Sequence, residues 1–530
     1  MKIVKTVVAK NALMLFFLIA ILFPLGKMFF FLFNSDIKAI LSNPQFFLAL
    51  KNSIVVTTVS TIISVSLAFI LSFCVMRTNI RHKTTISTLV TLPMLIPSIS
   101  HGMGLIFLFG ANGIITDFFN MNTTIYGFTG ILIGSVMYSF PVAFLMIVDI
   151  LKYEDYVPYE ACAVLGISGW QKIKAVTFPY LSKPMISVFF TTFTMIVTDY
   201  GVPLVVGGKY LTLPVMMYQE VVGLLDFGKG SVIGAILLLP AVAAFIIDLM
   251  KRDNVSSSYT ITSFRPKKSF LRTMASYTFC FVTIICVIVP ILSFILLTFI
   301  KKYPVDMSFS LSHIMRTFRM GGDRYLCNSF IISIGTSVLG VVIAYITAYF
   351  TARTSGKSAK FLHLVSITSL AIPGIVLGLS YILFFNGTLL YGTIAILILV
   401  NTIHFFASPY LMIYNTLNKL NRNLESVGMT LGITKLQILR DVLIPQTFDT
   451  VIEMFVYFFV NCMMTISAVS FLAVEANKPL SLMINQFQAQ MSLECASFVS
   501  LMIFAVNIVF KGISSLIKKK FVFRRTENAF

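Results

Sequence analysis

The chain has 530 residues, of which 57% are hydrophobic and only 11% are charged. A soluble domain needs far more charge on its surface, so this composition excludes one and indicates a polytopic protein of the lipid bilayer. The formal net charge of +20 at pH 7 would suit a nucleic-acid partner, but the placement of the charges argues against one.

Long apolar runs recur along the whole chain. A helix needs about 20 apolar residues to cross the hydrocarbon core, and the runs predict an all-α fold with about twelve transmembrane helices. The predicted spans are 12–33, 52–76, 86–110, 128–151, 184–206, 230–250, 273–300, 328–352, 361–385, 389–414, 450–473 and 497–517. Because no small-residue cleavage site follows Phe33, we expect the first span to be retained rather than removed as a signal peptide.

The distribution of the basic residues indicates which loops are cytoplasmic. If the N-terminus is cytoplasmic and the spans alternate, the loops on the cytoplasmic side hold 29 of the 40 Lys and Arg residues. This asymmetry follows the positive-inside rule and predicts that both termini are cytoplasmic, with no nucleic-acid partner. The loop 301–327 is predicted to be external although it is basic. Its basic residues are Lys301, Lys302, Arg316, Arg319 and Arg324.

An internal repeat divides the chain into two halves. Residue types recur 276 positions apart in the first part of each half, and 266 apart later. The matching pairs are Asn52 and Asn328, Arg77 and Arg353, Pro97 and Pro373, Gly102 and Gly378, then Gly166 and Gly432. The repeat predicts two parallel halves of six spans, 1–250 and 273–530, joined by a polar cytoplasmic linker, 251–272.

Two polar segments, 158–181 and 423–447, occupy equivalent places in the halves. Each contains Leu-Gly-Ile, and a proline follows the glycine after thirteen residues, at Pro179 and Pro445. Glycine suits a left-handed helix end, and the Ser/Thr-x-x-Gln motif that follows (at Ser168 and Thr434) is typical of a capping box. The pattern predicts a helix, a glycine turn and a capped second helix that ends before the proline.

These segments resemble the EAA loops of permease subunits of binding-protein-dependent ABC importers. The resemblance covers essentially the whole chain, and implies that both loops are coupling helices for ATPase subunits. The residues that match the motif are Glu160, Ala161, Gly166 and Pro179 in the first loop, and Glu425, Gly432 and Pro445 in the second. Glu160 precedes its glycine by six residues, whereas Glu425 precedes its glycine by seven, which suggests two unequal interfaces.

Two transporter classes fit a parallel arrangement of six plus six spans: a fused pair of ABC permease domains, or a secondary carrier of the major facilitator type. Facilitators carry acidic and basic residues between spans two and three, but the sequence here, RTNIRHKTT, has no carboxylate. The paired loops after spans four and ten favour the ABC permease.

The chain contains no Walker A motif, because Gly356-Lys357-Ser358 has Thr351 where the first glycine belongs. The resemblance therefore implies two separate ATPase subunits, an extracytoplasmic solute-binding protein and a prokaryotic inner-membrane location. The seven Cys have no metal-ligand spacing, and no catalytic constellation is evident. We predict a translocation subunit, not an enzyme, with no metal site and no cofactor.

Polar residues inside predicted spans are candidates for the substrate path, because they are costly in lipid. The candidates are Asp199, Tyr200, His101, His404 and Asn461. Asp199 has Thr465 at its repeat position, so the acid is unpaired by symmetry. The Asp-Tyr-Gly sequence resembles the fifth span of fused permeases for ferric iron and organophosphonate. This resemblance favours ferric iron as the solute, followed by organophosphonate, thiamine and polyamine.

Overall fold

A computed structural model describes residues 2–120, 125–167, 169–251, 269–354, 356–421 and 423–527. Residues 252–268 of the predicted linker and Ser168 of the first predicted capping box lie outside these ranges. The described chain is almost entirely helical, in agreement with the predicted all-α fold.

Among the described residues, fourteen α-helices precede the predicted linker. They are α1 (Lys2–Phe17), α2 (Phe23–Phe33), α3 (Ile37–Leu41), α4 (Pro44–Arg77), α5 (Lys83–Val90), α6 (Ser98–Phe109), α7 (Ile114–Phe118), α8 (Phe128–Lys152), α9 (Val157–Val164), α10 (Gly169–Lys172), α11 (Phe178–Val197), α12 (Gly201–Val206), α13 (Leu213–Tyr218) and α14 (Phe227–Lys251).

Thirteen α-helices and one hairpin of the described residues come after residue 268. The helices are α15 (Phe270–Phe299), α16 (Ser312–Arg319), α17 (Gly322–Arg353), α18 (Lys357–Ile367), α19 (Gly374–Phe385), α20 (Ile394–His404), α21 (Ala407–Lys419), α22 (Asn423–Thr430), α23 (Lys435–Ile438), α24 (Ile444–Gln446), α25 (Phe448–Met464), α26 (Leu480–Ala489) and α27 (Leu493–Glu527). Strands β1 (Ile300–Lys302) and β2 (Asp306–Phe309) pair antiparallel. Turns of π-helix occupy Leu18–Leu22, Ile173–Thr177, Gln219–Gly223 and Leu439–Leu443, and 3₁₀ turns occupy Leu92–Leu95 and Thr368–Ala371.

The described residues contain nine helices that are long and apolar enough to cross a membrane, or up to twelve if each of three bent pairs is one span. The prediction of about twelve transmembrane helices is confirmed. The bent pairs belong to the predicted spans 361–385, 389–414 and 450–473, with bends of 108°, 54° and 76°.

Several of the predicted spans are not single continuous helices in the structure. The predicted span 86–110 is divided into α5, a 3₁₀ turn and α6, and the break falls at Ile96-Pro97. The second half breaks at the equivalent residues, Ile372-Pro373. Proline disfavours helical backbone in the residue before it, and both isoleucines are extended, with ψ of 150° and 108°.

Two further predicted spans end early. The span 184–206 stops at Val197 and restarts as α12 after Asp199-Tyr200, and the span 450–473 ends at Met464. Hydropathy does not detect such breaks, since the interrupted segments stay apolar.

The repeat is visible as matching hydrogen bonds. The Ser53 hydroxyl accepts the Leu213 amide at 2.7 Å, and the Ser329 hydroxyl accepts the Leu480 amide at the same distance. In each half the preceding asparagine donates to the carbonyl two residues before that amide, at 3.0 and 3.1 Å. The repeated Asn-Ser pair thus fastens the long helices α4 and α17 to a helix start later in the same half.

The bundle has two faces. The face that carries α9 and α10 is called the loop face, and it also holds the end of α4, because Arg77 contacts Glu154 just after α8. The start of α15 lies there too, since the Tyr277 hydroxyl accepts the Arg81 amide. The other end of α15, with the β-hairpin, therefore lies at the opposite face, called the far face.

Paired loops and a central cavity

The two repeated loops share one backbone geometry. Gly166 and Gly432 have φ of +68° and +72°, so the predicted left-handed helix ends are confirmed. In each loop an amide just after the glycine bonds back to the preceding helix, Ile167 to Cys162 at 2.9 Å and Ile433 to Gly428 at 2.8 Å. No atom lies within 4 Å of a Cβ placed on either glycine. The positive φ alone therefore requires glycine.

The second helix of each loop differs from the prediction. The capping box at Thr434 and Gln437 is confirmed. However, neither second helix ends before its proline: a π turn precedes Pro179 and leads into α11, and another precedes Pro445 in α24. Proline lacks an amide donor and clashes with the carbonyl four residues earlier, and a wider π turn accommodates it.

The tips of the two loops share two positions with exposed apolar side chains. Leu165 and Trp170 are 73% and 76% exposed in the first loop, and Leu431 and Leu436 are 70% and 73% exposed in the second. Leu165 is 266 residues before Leu431, and Trp170 is 266 residues before Leu436, so the two loops match position by position. Exposed apolar groups at matched positions are typical of a protein-binding surface. Sequence reasoning missed these residues, although the shared offset could have revealed them.

The acidic residues of the two loops face different surroundings. Glu160 and Ala161 are exposed on α9. Glu425 turns inward, where its carboxylate is 14% exposed and lies 3.5 Å from the guanidinium of Arg353, at the end of α17. Pro179 and Pro445 are exposed on the loop face.

A second arginine–glutamate pair lies in the first half. Arg77 ends α4 and forms an ion pair with Glu154, and the two side chains are 3% and 2% exposed. The Tyr159 hydroxyl of α9 donates to the same carboxylate at 2.6 Å. Arg77 and Arg353 are repeat equivalents, so each half ties the end of its long helix to its loop through a glutamate. The sequence marked these arginines as repeat positions and gave no sign of their partners.

A cavity of about 1150 Å³ lies between the halves. The predicted residues Asp199, His404 and Asn461 line it, together with Tyr138 and Tyr457, which the sequence analysis did not select. The lining continues toward the loop face along α25 and α27, where Lys518 donates to Glu453 at 2.6 Å.

Asp199 lies where the chain turns from α11 into α12. Its carboxylate accepts the Ser98 hydroxyl at 2.6 Å and the amides of Val202 and Gly201 at 3.0 and 3.3 Å. The side chain therefore stabilises the start of α12 while it borders the cavity.

The other two candidates lie outside the cavity lining. His101 is 1% exposed, with its ring centre 6.2 Å from that of Tyr138. Tyr200 is fully buried, and its ring stacks on Tyr218 at 4.9 Å. Its hydroxyl bonds to Ser470 and Asn485 of the other half. Tyr200 thus joins the halves beyond Asp199, on the far-face side of the cavity.

The chain has two fused, repeated halves, and the mainly apolar cavity between them is also bordered by Asp199, His404 and Asn461. Together with the matched pair of protruding loops, these features define a membrane-embedded transport component. The model of the family described as binding-protein-dependent transport system inner membrane component matches residues 60–252 and 337–522. The chain belongs to this family, and the model matches it once in each half.

Curated relatives extend the comparison. A ferric transport system permease protein FbpB of Actinobacillus pleuropneumoniae is 25% identical over 77% of this chain, and a putative ferric transport system permease protein FbpB 1 of Haemophilus influenzae is 26% identical over 77%. The matches span 62% and 68% of those two relatives. A thiamine transport system permease protein ThiP of Haemophilus influenzae is 27% identical over 32% of the chain and 33% of its own length.

Proposed function

We propose that this chain is the membrane-spanning permease subunit of an ABC importer, in which residues 1–250 and 273–530 form two halves joined by 251–272. The observation that carries the proposal is the pair of loops: the same glycine geometry and the same exposed apolar tips occur at equivalent positions of both halves. Such duplication fits two copies of a soluble partner.

Each loop docks on one ATPase subunit, and the chain itself hydrolyses no ATP. Leu165 and Trp170 enter a groove of one subunit, and Leu431 and Leu436 enter that of the other. Burial of a large apolar side chain contributes roughly 1.5–3 kcal/mol, so the two tips of each loop contribute about 3–6 kcal/mol toward docking. Glu160 adds a polar contact to the first interface, and Glu425 adds none to the second.

The buried ion pairs transmit the motion of the docked loops. Arg77–Glu154 and Arg353–Glu425 connect the loops to α4 and α17, the two longest spans that the loops contact. Removing one partner of a buried ion pair costs roughly 3–5 kcal/mol, so the loop and the helix end move together. Closure of the ATPase subunits then rotates both long helices.

The cavity is the inward-facing solute path. It is lined from Asp199 down to the loop face, and the Tyr200 contacts between the halves close it toward the far face. In the ATP-bound state the Tyr200 contact opens, and a solute from the extracytoplasmic binding protein enters. His404 and Asn461 border this route, whereas His101 stabilises the wall behind it.

Ferric iron is the solute we propose first. Two relatives are named ferric transport permeases, and Asp199, Tyr138 and Tyr457 give the cavity the oxygen groups that a hard cation prefers. Organophosphonate, thiamine and polyamine follow.

Uptake by proteoliposomes tests the proposal. The chain is reconstituted with its ATPase subunit and an iron-loaded binding protein, and ATP inside the vesicles should drive ferric iron uptake. Uptake by the chain alone, driven by a proton gradient, would instead support a secondary carrier of the facilitator type.

A further inference from the structure

The segment 300–321, with β1, β2 and α16, is called the far-face segment. It joins the end of α15 directly to the start of α17, and both of these are spanning helices. Because α15 stays apolar up to its last residues and Lys301 and Lys302 follow at once, the segment begins at the edge of the apolar span.

The hairpin carries a row of exposed apolar side chains. Met307 and Phe309 of β2 are 51% and 73% exposed, and alternate residues of a strand share a face. Val305, in the turn just before β2, is 81% exposed. Phe309 stacks on Phe299, the last residue of α15, with ring centres 5.7 Å apart. The row thus continues the exposed apolar surface of α15, which is formed by Leu292, Ile295 and Leu296.

Helix α16 is amphipathic. His313 and Thr317 are buried, and His313 contacts Cys495 of α27. Leu311, Met315 and Phe318, spaced as a single helical stripe, are 46%, 54% and 42% exposed. Two arginines of α16, at positions 316 and 319, are exposed beside this stripe.

We propose that the far-face segment is an interfacial anchor that binds anionic phospholipid. The apolar row and stripe enter the acyl boundary, while Lys302, Arg316 and Arg319 contact headgroup phosphates. Lys301 contributes less, because it is paired with Asp306 at 2.9 Å.

The continuity of the apolar row with α15 favours lipid over a soluble partner. A protein surface would have to seat on side chains that extend a spanning helix, at the depth of the bilayer boundary. The same contacts explain why basic residues stand in a loop predicted to be external: they are held by lipid phosphate.

Single-tryptophan fluorescence tests the depth of the segment. Trp170 is the one tryptophan of the chain, so Trp170→Phe provides a background for Phe309→Trp and Met315→Trp in lipid nanodiscs. We expect brominated acyl chains to quench both new tryptophans and aqueous iodide to leave them bright. The unmodified protein is the control, because the exposed Trp170 should respond in the opposite way. Quenching of both new positions by iodide and not by brominated lipid would overturn the anchor and leave a water-facing docking surface.

Headgroup preference is tested with the Met315→Trp variant. Brominated phosphatidylglycerol should quench it at least about twofold more than brominated phosphatidylcholine, because the basic side chains beside Met315 attract anionic headgroups. Arg316→Gln with Arg319→Gln should remove the preference, whereas Lys209→Gln, an exposed lysine outside the segment, should retain it. Equal quenching by the two lipids before any arginine is changed would contradict the phosphate contacts.

Discussion

At the scale of single residues, each half has an arginine–glutamate ion pair between its long helix and its loop, but the glutamates occupy different sequence positions. Arg77 and Arg353 are exact repeat equivalents, whereas Glu154 precedes α9 and Glu425 lies inside α22. A motif comparison therefore aligns Glu425 with Glu160 and misreads its role. The structure pairs Glu425 with a buried guanidinium, where its charge is neutralised.

Charge reversal tests the second link. Arg353→Glu places two carboxylates together, so we expect transport to fall at least about tenfold while the ATPase subunit still copurifies. Arg353→Glu combined with Glu425→Arg should restore a large share of transport, because the pair is re-formed. Lys357→Gln, a nearby exposed lysine, is the control and should transport normally. Normal transport by Arg353→Glu would show that the Arg353–Glu425 ion pair does not transmit motion from the loop to α17.

A substitution at Asp199 distinguishes a role in the solute path from a role in capping α12. Asparagine also caps helices, so Asp199→Asn keeps the start of α12 and removes the charge. If the carboxylate attracts a cationic solute, uptake should fall at least about tenfold with the ATPase docking intact. Ser98→Ala, which removes a hydrogen-bond donor to Asp199 and leaves the charge, should have a much smaller effect.

Two other results for Asp199→Asn would contradict a role in attracting a cation. Near-normal uptake by Asp199→Asn would show that the carboxylate only stabilises the start of α12. Faster uptake of an organophosphonate by the variant would replace ferric iron with an anion as the solute.

At the scale of helices and loops, the sequence predicts what depends on composition and spacing. Twelve apolar stretches, the repeat and the left-handed glycines were all predictable, because hydropathy and glycine positions encode them. The bends were not predicted, although Pro97 and Pro373 were recognised as repeat markers. Hydropathy measures how apolar a segment is and carries no information on the direction of its backbone.

The loop tips were missed for a related reason. In a chain that is 57% hydrophobic, an exposed leucine at position 165 or 431 does not differ from the many lipid-facing ones. Its exposure depends on the glycine turn that follows it, and the equivalence of the two loops is the one sequence signal for it.

The glycine turns give a prediction at this scale. Alanine at Gly166 or Gly432 costs about 1–2 kcal/mol, because an L-residue is strained at positive φ. We expect Gly166→Ala to reduce the amount of ATPase subunit that copurifies. Gly166→Pro should leave only the share held by the second loop and abolish transport, with both variants still inserted in the membrane. Gly512→Ala is the matched control, since that glycine also has open space around it but lies inside α27. Equal copurification by all three variants would show that the turn geometry is dispensable.

At the scale of the whole molecule, the faces of the bundle match the charge asymmetry of the loops. The loop face holds the ends of α4 and α8 and the start of α15, and the far face holds the hairpin. Reporter fusions at the C-terminus and at Asp306 should therefore report opposite sides of the membrane, with the C-terminus cytoplasmic. The same side for both would require an even number of spans between them, instead of the predicted five, and would overturn the arrangement of twelve.

Site-specific photocrosslinking tests most directly whether the two loops dock on separate ATPase subunits. A photoreactive amino acid is placed at Leu165, at Leu431 and, as a control, at Leu389, which is 99% exposed and follows α19 on the far face. We expect a crosslink to the co-expressed ATPase subunit from Leu165 and from Leu431, and none from Leu389. Absence of crosslinks from both loop positions in a transport-active membrane would contradict this docking.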